Sequence, residues 1–354
     1  MTTLFVDTKY PFHLAEGREL HRVLTLFYPT AKGAALVAEE SDVDIAYINT
    51  DQAPVFVWRE ILKEAAASGV LRDLVVIARD RHLRSPSRAF LDALLANETP
   101  TLSSEPRTSD GEPDFRSGND EITAPEALLF HDDLTLEIGR VPWLVGVLQT
   151  LQTIAPSVCK FTVTRPGVSQ NGTGFRIGEQ LLLTNWHVLR FDFGPATKIV
   201  AEFGFDDDGK GGSTNSTAYA CDLASIRSNK DDDWGVIRTI QPLPATIPIV
   251  PLSGAPAPQL GDAAFLIEHP GGNRKRIAYV RNQITFLDNR VLHYLSDTAE
   301  GSSGAPVLND QGQVIGLHHA GGRPQEIAGK PPLVKNEGIR IDAVLKGLNA
   351  AGVL

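Results

Sequence analysis

Cysteine is scarce in this 354-residue chain, which contains only Cys159 and Cys221. Neither belongs to a CxxC pair, so the spacing supports neither a disulfide framework nor a zinc site. We therefore expect two buried thiols and no bound metal or cofactor.

A leader peptide and a membrane span are also missing from the pattern. The opening MTTLFVDTKYPF has no basic stretch followed by an apolar one, which excludes a secretory signal of the usual kind. The longest apolar run, residues 141–148, is far shorter than the roughly 20 residues that a spanning helix needs. We expect a cytoplasmic protein without membrane insertion.

Positive charge is in deficit, with 33 Lys and Arg against 43 Asp and Glu and a formal net charge of -10. Nucleic acids and anionic lipid surfaces are bound by dense basic faces, so general binding to either is not expected. The length and the 42% hydrophobic content allow substantial cores and favour two or three domains.

The first hundred residues carry helical periodicity. Leu20, Val23, Leu24 and Phe27 recur at spacings of three and four, which places them on one helical face. Similar stripes predict further helices after Pro29-Thr30, over residues 55–67 with Gly69 as the C-terminal stop, and over 71–82. A last helix is predicted to begin at Ser85-Pro86, with Ser85 as its N-cap and Pro86 in its first turn. The pattern predicts a bundle of about five helices over residues 1–96.

Composition divides the rest of the chain. Residues 97–126 are rich in Pro, Ser, Thr, Gly and acids, which predicts a flexible linker. Residues 127–354 form the third region, in which Leu144, Leu148 and Leu151 indicate a short helix before many short β-like runs divided by Gly, Pro, Asn and Asp. Such runs predict an antiparallel barrel pair or sandwich.

Three segments of the β region carry chemistry. They are Gly172-Thr-Gly-Phe with the following LLLTNWHVL, Asp233-Trp-Gly-Val-Ile237, and Asp297-Thr-Ala-Glu-Gly-Ser-Ser303-Gly-Ala-Pro306. A serine hydroxyl becomes nucleophilic when an imidazole accepts its proton and a buried carboxylate holds that imidazole. His187, Asp233 and Ser303 occur in the order His, Asp, Ser, which differs from the orders in subtilisins and α/β-hydrolases.

Residues from about 155 to 345 resemble the trypsin-like peptidases, and among them the bacterial branch that includes the glutamyl endopeptidases. The resemblance rests on TGF, LLTNWHV, DWGV, DTAEGSSGAP and VIGLH. It implies a chymotrypsin-type double β-barrel, with His187 as general base, Asp233 as its orienting carboxylate and Ser303 as nucleophile. By the same analogy, the backbone N–H groups of Gly301 and Ser303 form the oxyanion hole, and glycine suits a loop that turns an N–H inward.

The chain departs from digestive trypsins at two points. Ser302 replaces the aspartate that buries a newly cut N-terminus, and no Ile-Val-Gly-Gly start lies upstream, so activation by that cleavage is not expected. The cystine that brackets the catalytic histidine is also missing, as expected in a reducing compartment.

Substrate selectivity stays open between two interpretations. Asp297 lies six residues before Ser303, where trypsins place the carboxylate that binds Lys or Arg. Thr298 and His318, however, match positions with which glutamyl endopeptidases hold an acidic side chain. His269 in the EHPGG turn is interpreted as structural.

The helical region resembles effector-associated domain 1 of bacterial conflict systems, a death-fold-like module similar in role to CARD domains. This resemblance implies recruitment to a partner with a like domain, such as a STAND ATPase or a second copy of the chain. It also implies antiphage or cell-death signalling, with a protein substrate such as a gasdermin-like pore former. The alternatives are a catalytically weak scaffold, a general intracellular protease and a hydrolase of small esters.

Two charged clusters of the helical region are candidate partner surfaces. Glu39 and Glu40 lie near the end of the second predicted helix, whereas Arg81 and Arg84 lie between the last two. We expect the clusters on different sides of the bundle, where they would pair between copies head to tail and form a homo-oligomer. The other interpretation is two solvated faces.

Overall fold

A computed structural model describes most of the chain. The described residues are 4–50, 52, 54–82, 85, 87–98, 100–103, 114, 116, 144–190, 195–209, 212, 214–279, 283–295, 301–325 and 333–354. They divide into two compact units. The first comprises the residues up to Ser103 and Gly167–Ser169, and the second comprises Asp114, Arg116 and the other residues from 144 onwards.

The first unit is built from helices. They are α1 (Ala15–Phe27), α2 (Ala31–Glu40), α3 (Pro54–Ala67), α4 (Leu71–Arg81) and α5 (Arg88–Leu95), followed by the short strand β1 (Thr101–Ser103). Trp58 and Leu20 are among its fully buried side chains. Since each buried large apolar side chain contributes about 1.5–3 kcal/mol, this shared core holds the bundle together.

The end of α3 follows from its glycine, as the sequence predicts. Gly69 adopts a φ of 74°. The N–H of Gly69 donates to Ala66 O at 3.2 Å, and the N–H of Val70 donates to Ala65 O at 2.9 Å. These two bonds form a Schellman motif, which satisfies carbonyls that the helix end leaves open.

Two local expectations for this unit are wrong. Helix α5 begins at Arg88 with Ser87 as its N-cap residue, so Ser85 does not cap it; instead the Ser85 hydroxyl accepts from the Ser87 N–H at 3.1 Å. Glu40 and Arg81 do not lie on different sides of the bundle, because their side chains form an ion pair within one chain. The packing of α2 against α4 brings them together, and Arg84 lies outside the described residues.

The second unit is mostly β-structure. Its helices are α6, described over residues 144–154, α7 (Trp186–Leu189) and α8 (Ile341–Ala350). Its strands are β2 (Val158–Arg165), β3 (Val168–Arg176, whose first two residues are counted with the first unit), β4 (Leu181–Thr184), β5 (Lys198–Phe203), β6 (Thr217–Asn229), β7 (Trp234–Thr239), β8 (Phe265–Glu268), β9 (Arg276–Ala278), β10 (Ile284–Leu287), β11 (Val291–Tyr294), β12 (Pro306–Leu308), β13 (Val314–Gln325) and β14 (Leu333–Arg340).

The strands form two antiparallel sheets. In the first, β3-β2-β5-β6-β7-β4 are neighbours, and pairing of β3 with β4 closes the six into a barrel. The second runs β10-β11-β14-β13-β12-β8-β9, and an isolated bridge between Ala263 and Gln283 joins the segments that precede β8 and β10. Antiparallel order, tight turns and the near closure of the second sheet identify a double barrel of the chymotrypsin type. The predicted fold class is thereby confirmed.

Helices α6 and α8 pack on the sheets through apolar stripes. Val147 and Leu151 of α6 and Val344 and Leu348 of α8 enter the same core cluster as Trp234. The short helix around residues 144–151 was predicted, whereas α8 was not. No helix among the described residues is both long and apolar enough to cross a membrane.

Candidate active site

The first barrel presents His187 at the end of β4. All four residues of β4 are buried, and the strand pairs with β7 from Leu181↔Arg238 to Thr184↔Gly235. Helix α7 then carries His187, which is 2% exposed. The guanidinium of Arg165 donates to Leu189 O at 3.1 Å and so satisfies a carbonyl at the end of this single helical turn.

Asp233 lies in the turn before β7, in a left-handed conformation with a φ of 43°. This backbone conformation is uncommon for a residue other than glycine, and it persists only where contacts with the surrounding structure stabilise it. Here the carbonyl of Asp233 accepts from Asn185 Nδ2 at 2.9 Å and from Trp186 N–H at 3.2 Å. The loop of the carboxylate is thereby tied to the loop of the imidazole.

The carboxylate holds His187 at two points. Oδ1 of Asp233 accepts from the His187 backbone N–H at 3.1 Å, and Oδ2 faces His187 Nδ1 at 2.7 Å. Both side chains are buried. This pairing places the Nδ1 proton toward Asp233 and leaves Nε2 as an acceptor, the tautomer that a general base requires.

A second imidazole shares the same oxygen. Nδ1 of His319 lies 2.6 Å from Oδ2 of Asp233. Burial acts to raise the pKa of Asp233, but the two imidazoles outweigh it and hold that pKa well below its usual range. The two N–H groups occupy Oδ2, so His187, Asp233 and His319 form a hydrogen-bonded set centred on an ionised carboxylate.

Ser303 reaches this set from the second barrel and is fully buried. Its hydroxyl donates to the carbonyl of His319 at 3.3 Å. Nε2 of His187 has no hydrogen-bond partner among the described residues. The three predicted residues therefore converge, with the Ser303 hydroxyl turned toward His319 O instead of the His187 ring.

The loop before Ser303 is shaped by Gly301, which has a φ of 86°. A Cβ there would lie 2.8 Å from the carbonyl oxygen of His269 and from the backbone N of Gly271, so only glycine fits. Thr173 ties the loop down: its hydroxyl donates to Gly301 O at 2.7 Å and accepts from the His269 N–H at 3.0 Å. The N–H of Thr173 also donates to Ser303 O at 2.9 Å.

His318 is the one predicted selectivity residue that the structure describes; Asp297 and Thr298 lie outside the described residues. It is fully buried, and burial lowers its pKa to about 3, with help from His319 and His187. Nδ1 of His318 faces the Tyr294 hydroxyl at 2.5 Å. Its Nε2 has no partner among the described residues.

Further groups of the site were not predicted from the sequence. Nε2 of His319 lies 3.0 Å from Asp114 O and 3.9 Å from Glu337 Oε1. The other oxygen of Glu337 faces His293 Nε2 at 2.8 Å. The adjacent His318-His319 pair was a visible signal, but nothing in the pattern pointed to Glu337 or Asp114.

The comparisons agree with this architecture. Residues 172–317 match the family model described as a trypsin-like peptidase domain. The chain is 33% identical over 196 residues to the uncharacterized protein y4fB of Sinorhizobium fredii, covering 47% of this chain and 28% of that protein. It is 29% identical over 178 residues to a glutamyl endopeptidase of Staphylococcus aureus, covering 48% of this chain and 51% of the relative.

Among solved structures, the HtrA-type protease AlgW with a tripeptide aligns with a TM-score of 0.43 and 16% identity, covering 58% of this chain and 62% of that one. The chain matches about a quarter to a half of the length of the two curated relatives, y4fB and the glutamyl endopeptidase. The family match and the double barrel lead to one assignment: this chain contains a trypsin-like serine protease domain.

Proposed function

We propose that the protein is a serine endopeptidase in which Ser303 is the nucleophile, His187 the general base and Asp233 its orienting carboxylate. The observation that carries the proposal is the buried pairing of His187 with both oxygens of Asp233, at 2.7 and 3.1 Å, together with His319, which binds the same carboxylate and whose carbonyl accepts from the Ser303 hydroxyl. Serine-dependent peptide hydrolysis uses this set of groups together with a donor for the developing oxyanion.

The mechanism begins with a rotation of Ser303. Its hydroxyl turns from the His319 carbonyl to Nε2 of His187, which is open among the described residues. His187 takes the proton as Oγ attacks the substrate carbonyl, and Asp233 stabilises the imidazolium that forms. The N–H groups of Gly301 and Ser303 receive the oxyanion, after which His187 returns the proton to the leaving amine.

A fluorophosphonate probe and a casein assay test the chemistry. Ser303→Ala should lose both labelling and cleavage, whereas Ser302→Ala, at an equally buried neighbouring serine, should keep both. Circular dichroism checks that each variant is folded. Cleavage that persists in Ser303→Ala would remove the assignment.

The acidic interpretation of substrate selectivity is the one we favour. A neutral His318 whose Nδ1 accepts from the Tyr294 hydroxyl carries its proton on Nε2. That N–H is a buried donor without a described partner, and a substrate carboxylate would satisfy it. We therefore propose Glu or Asp as the residue before the scissile bond.

Matched peptides that differ only by Glu or Gln before the cleaved bond test this selectivity. We expect faster cleavage after Glu, and His318→Phe should remove the preference because the ring loses its donor. Tyr294→Phe should weaken it, since the proton on Nε2 is no longer fixed. Preference for Lys or Arg would favour the role of Asp297 instead.

The proposal extends to recruitment by the first unit. The chain acts in the cytoplasm, joins a death-fold-domain partner such as a STAND ATPase or another copy of itself, and cleaves a protein effector such as a gasdermin-like pore former in antiphage or cell-death signalling. Its support is the five-helix bundle and the resemblance noted from the sequence. The free, buried thiols of Cys159 and Cys221 suit a reducing compartment.

Co-precipitation from the native host, with the Ser303→Ala chain as bait, tests recruitment. A protein with a like helical domain should be captured, and Glu39→Lys should reduce its capture. Glu98→Lys, also an exposed acid of the first unit, is the matched control. Capture that is independent of Glu39 would exclude this surface, and the absence of any like-domain protein would exclude the recruitment role.

A further inference from the structure

His319 lies between two hydrogen-bond acceptors. Its Nδ1 is 2.6 Å from the ionised carboxylate of Asp233, and its Nε2 is 3.0 Å from the backbone carbonyl of Asp114. A carbonyl oxygen can only accept, and so can a carboxylate. Both ring nitrogens must therefore carry protons, which makes His319 a buried cation.

The surroundings favour this charge. Burial acts against it, but Asp233, by charge and hydrogen bond, and Glu337 at 3.9 Å raise the pKa of His319, while Arg116 opposes them. His187 and His318 also face the group, and His293 holds the far oxygen of Glu337. The two anions thus enclose one imidazolium.

A cation on Oδ2 of Asp233 bears directly on catalysis. The rings of His187 and His319 lie with centroids 5.7 Å apart, and both donate to the same oxygen. When His187 takes the proton of Ser303, a second positive ring appears beside the first. The carboxylate then stabilises His187 less than it would alone.

The backbone at Asp114 and Arg116 keeps His319 in this state. The Arg116 N–H donates to Glu337 Oε1 at 2.6 Å, and its guanidinium donates to Lys230 O at 3.2 Å. These bonds anchor the chain where the Asp114 carbonyl reaches His319. We call these backbone bonds, Asp114 O with His319 and Arg116 N–H with Glu337, the rear contact.

We propose that His319 is a positioning residue that holds Asp233 partly neutralised, and that the rear contact maintains it, so that this contact restrains the serine protease proposed above. The inference rests on that proposed function. A signal that displaces Asp114 and Arg116 from Glu337 and His319 would let Nε2 lose its proton. Neutral His319 would still donate to Asp233, and His187 would gain the full charge of the carboxylate.

Three substitutions in the full chain separate the role of His319 from the role of the rear contact. Arg116→Pro removes both the N–H that binds Glu337 and the guanidinium that binds Lys230, whereas Arg116→Ala removes the guanidinium alone, so the difference between them isolates the backbone bond. His319→Asn offers a neutral donor in place of Nδ1 and has no counterpart of Nε2. We expect kcat/KM near pH 7 to rise about tenfold in Arg116→Pro and in His319→Asn. A tenfold rise corresponds to about one pKa unit of additional stabilisation of the protonated His187 by Asp233.

The pH profile gives a second readout. The advantage of His319→Asn over the wild type should be largest at neutral pH and should shrink at alkaline pH, where His319 loses its proton. The double variant Arg116→Pro, His319→Asn should be no more active than His319→Asn alone, because both substitutions relieve the same restraint. A fall in activity in His319→Asn, or equal activities at every pH, would overturn the proposal.

Nitrogen-15 NMR of histidine-labelled protein tests the charge without any assay of activity. The ring of His319, assigned by its loss in His319→Asn, should carry two protons at pH 7 in the wild type and in Arg116→Ala, but one in Arg116→Pro. A singly protonated ring in the wild type would refute the inference even if proteolysis is established. Failure of fluorophosphonate labelling alongside a doubly protonated ring would instead refute the proposed function.

Discussion

The hydroxyl of Thr173 donates a 2.7 Å hydrogen bond to the carbonyl of Gly301. This bond fixes the peptide that joins Gly301 to Ser302, which lies between the two N–H groups proposed to bind the oxyanion. Because the same hydroxyl accepts from the His269 N–H, Thr173 links the loop to the EHPGG turn. The turn interpreted as structural from the sequence thus supports the shape of the site.

Thr173→Val should lower kcat and leave KM nearly unchanged. Valine has the shape of threonine without its hydroxyl, so the Gly301 carbonyl and the His269 N–H each lose a partner in a buried place. We expect a fall of about 10-fold or more in kcat, measured on a peptide substrate. Thr173→Ser keeps the hydroxyl and should restore most of the rate; if it does not, the methyl group is the part that matters.

Gly301→Ala should cost both rate and stability. The new Cβ would meet backbone atoms at 2.8 Å, and φ is 86°. We expect at least a 100-fold loss of kcat/KM and a decrease of several kcal/mol in the free energy of unfolding. Gly254→Ala has a φ of 98° and open space around its Cβ, so it isolates the cost of the backbone conformation and should leave activity intact. Equal losses in both variants would contradict the steric explanation.

Asp233→Asn should reduce kcat by about 10³–10⁴-fold, since an amide cannot stabilise an imidazolium and allows the wrong tautomer of His187. The neighbouring Asp232 is a matched control, because it binds Arg290 at 3.0 Å away from the imidazoles. Asp232→Asn should retain activity within about threefold. Steady-state kinetics at pH 7.5 decides between the two positions, and a comparable loss in both would indicate a general effect on the loop.

Much of the fold follows from local pattern. The apolar run of β4 and the Gly69 stop of α3 are each readable from a few neighbouring residues. Helix α8 also had a signal, since Ile341, Val344 and Leu348 recur at spacings of three and four. Residues Gly338–Ile341 also form one of the short β-like runs of the sequence, and this run concealed the helix because Ile341 fits both a strand end and a helix start.

The rear of the site could not be predicted in this way. Alternation along a strand places neighbouring side chains on opposite faces, yet His318 and His319 are both fully buried. All residues from Val314 to Gly321 are buried, so both faces of this part of β13 are covered, and the register shifts between His318 and Ala320 opposite β14. The bonds to Asp114 and Arg116 involve backbone groups, which every residue has, so no residue type announces them.

Trp58→Ala should destabilise the first unit by about 3–5 kcal/mol, because the indole is fully buried and its Nε1 donates to Tyr28 O at 3.3 Å. Phe56 lies two residues earlier on the exposed side of the same helix and is 47% accessible. Phe56→Ala should change the free energy of unfolding by less than about 1 kcal/mol. Urea unfolding followed by far-UV circular dichroism compares the two, and similar costs would contradict the burial pattern.

Stability should fall as the pH drops below about 6.5, the ordinary pKa of histidine in an unfolded chain. Burial lowers the folded-state pKa of both His269 and His318 to about 3. Between pH 6.5 and pH 3 the unfolded chain binds protons that the folded chain does not. The free energy of unfolding therefore decreases as the pH falls through this range. Asp233 and Glu337, whose pKa values are lowered, add to the loss only below about 4.5.

Urea midpoints at pH 7 and pH 5 measure this slope. His269→Gln should flatten it, because the substituted side chain does not titrate. His13→Gln, at a histidine that is not buried, should leave the slope unchanged. A midpoint that is the same at both pH values in the wild type would contradict the prediction.

The site draws its groups from widely separated parts of the chain. His187 and Asp233 belong to the first barrel, Ser303 and His319 to the second, and Glu337 to β14. A ribosome delivers these pieces in that order, so a growing chain holds His187 and Ser303 before β14 completes the sheet beside β13. We therefore expect a prematurely ended protein to lack Glu337 and the strand that pairs with β13, and with them the assembled set of buried groups.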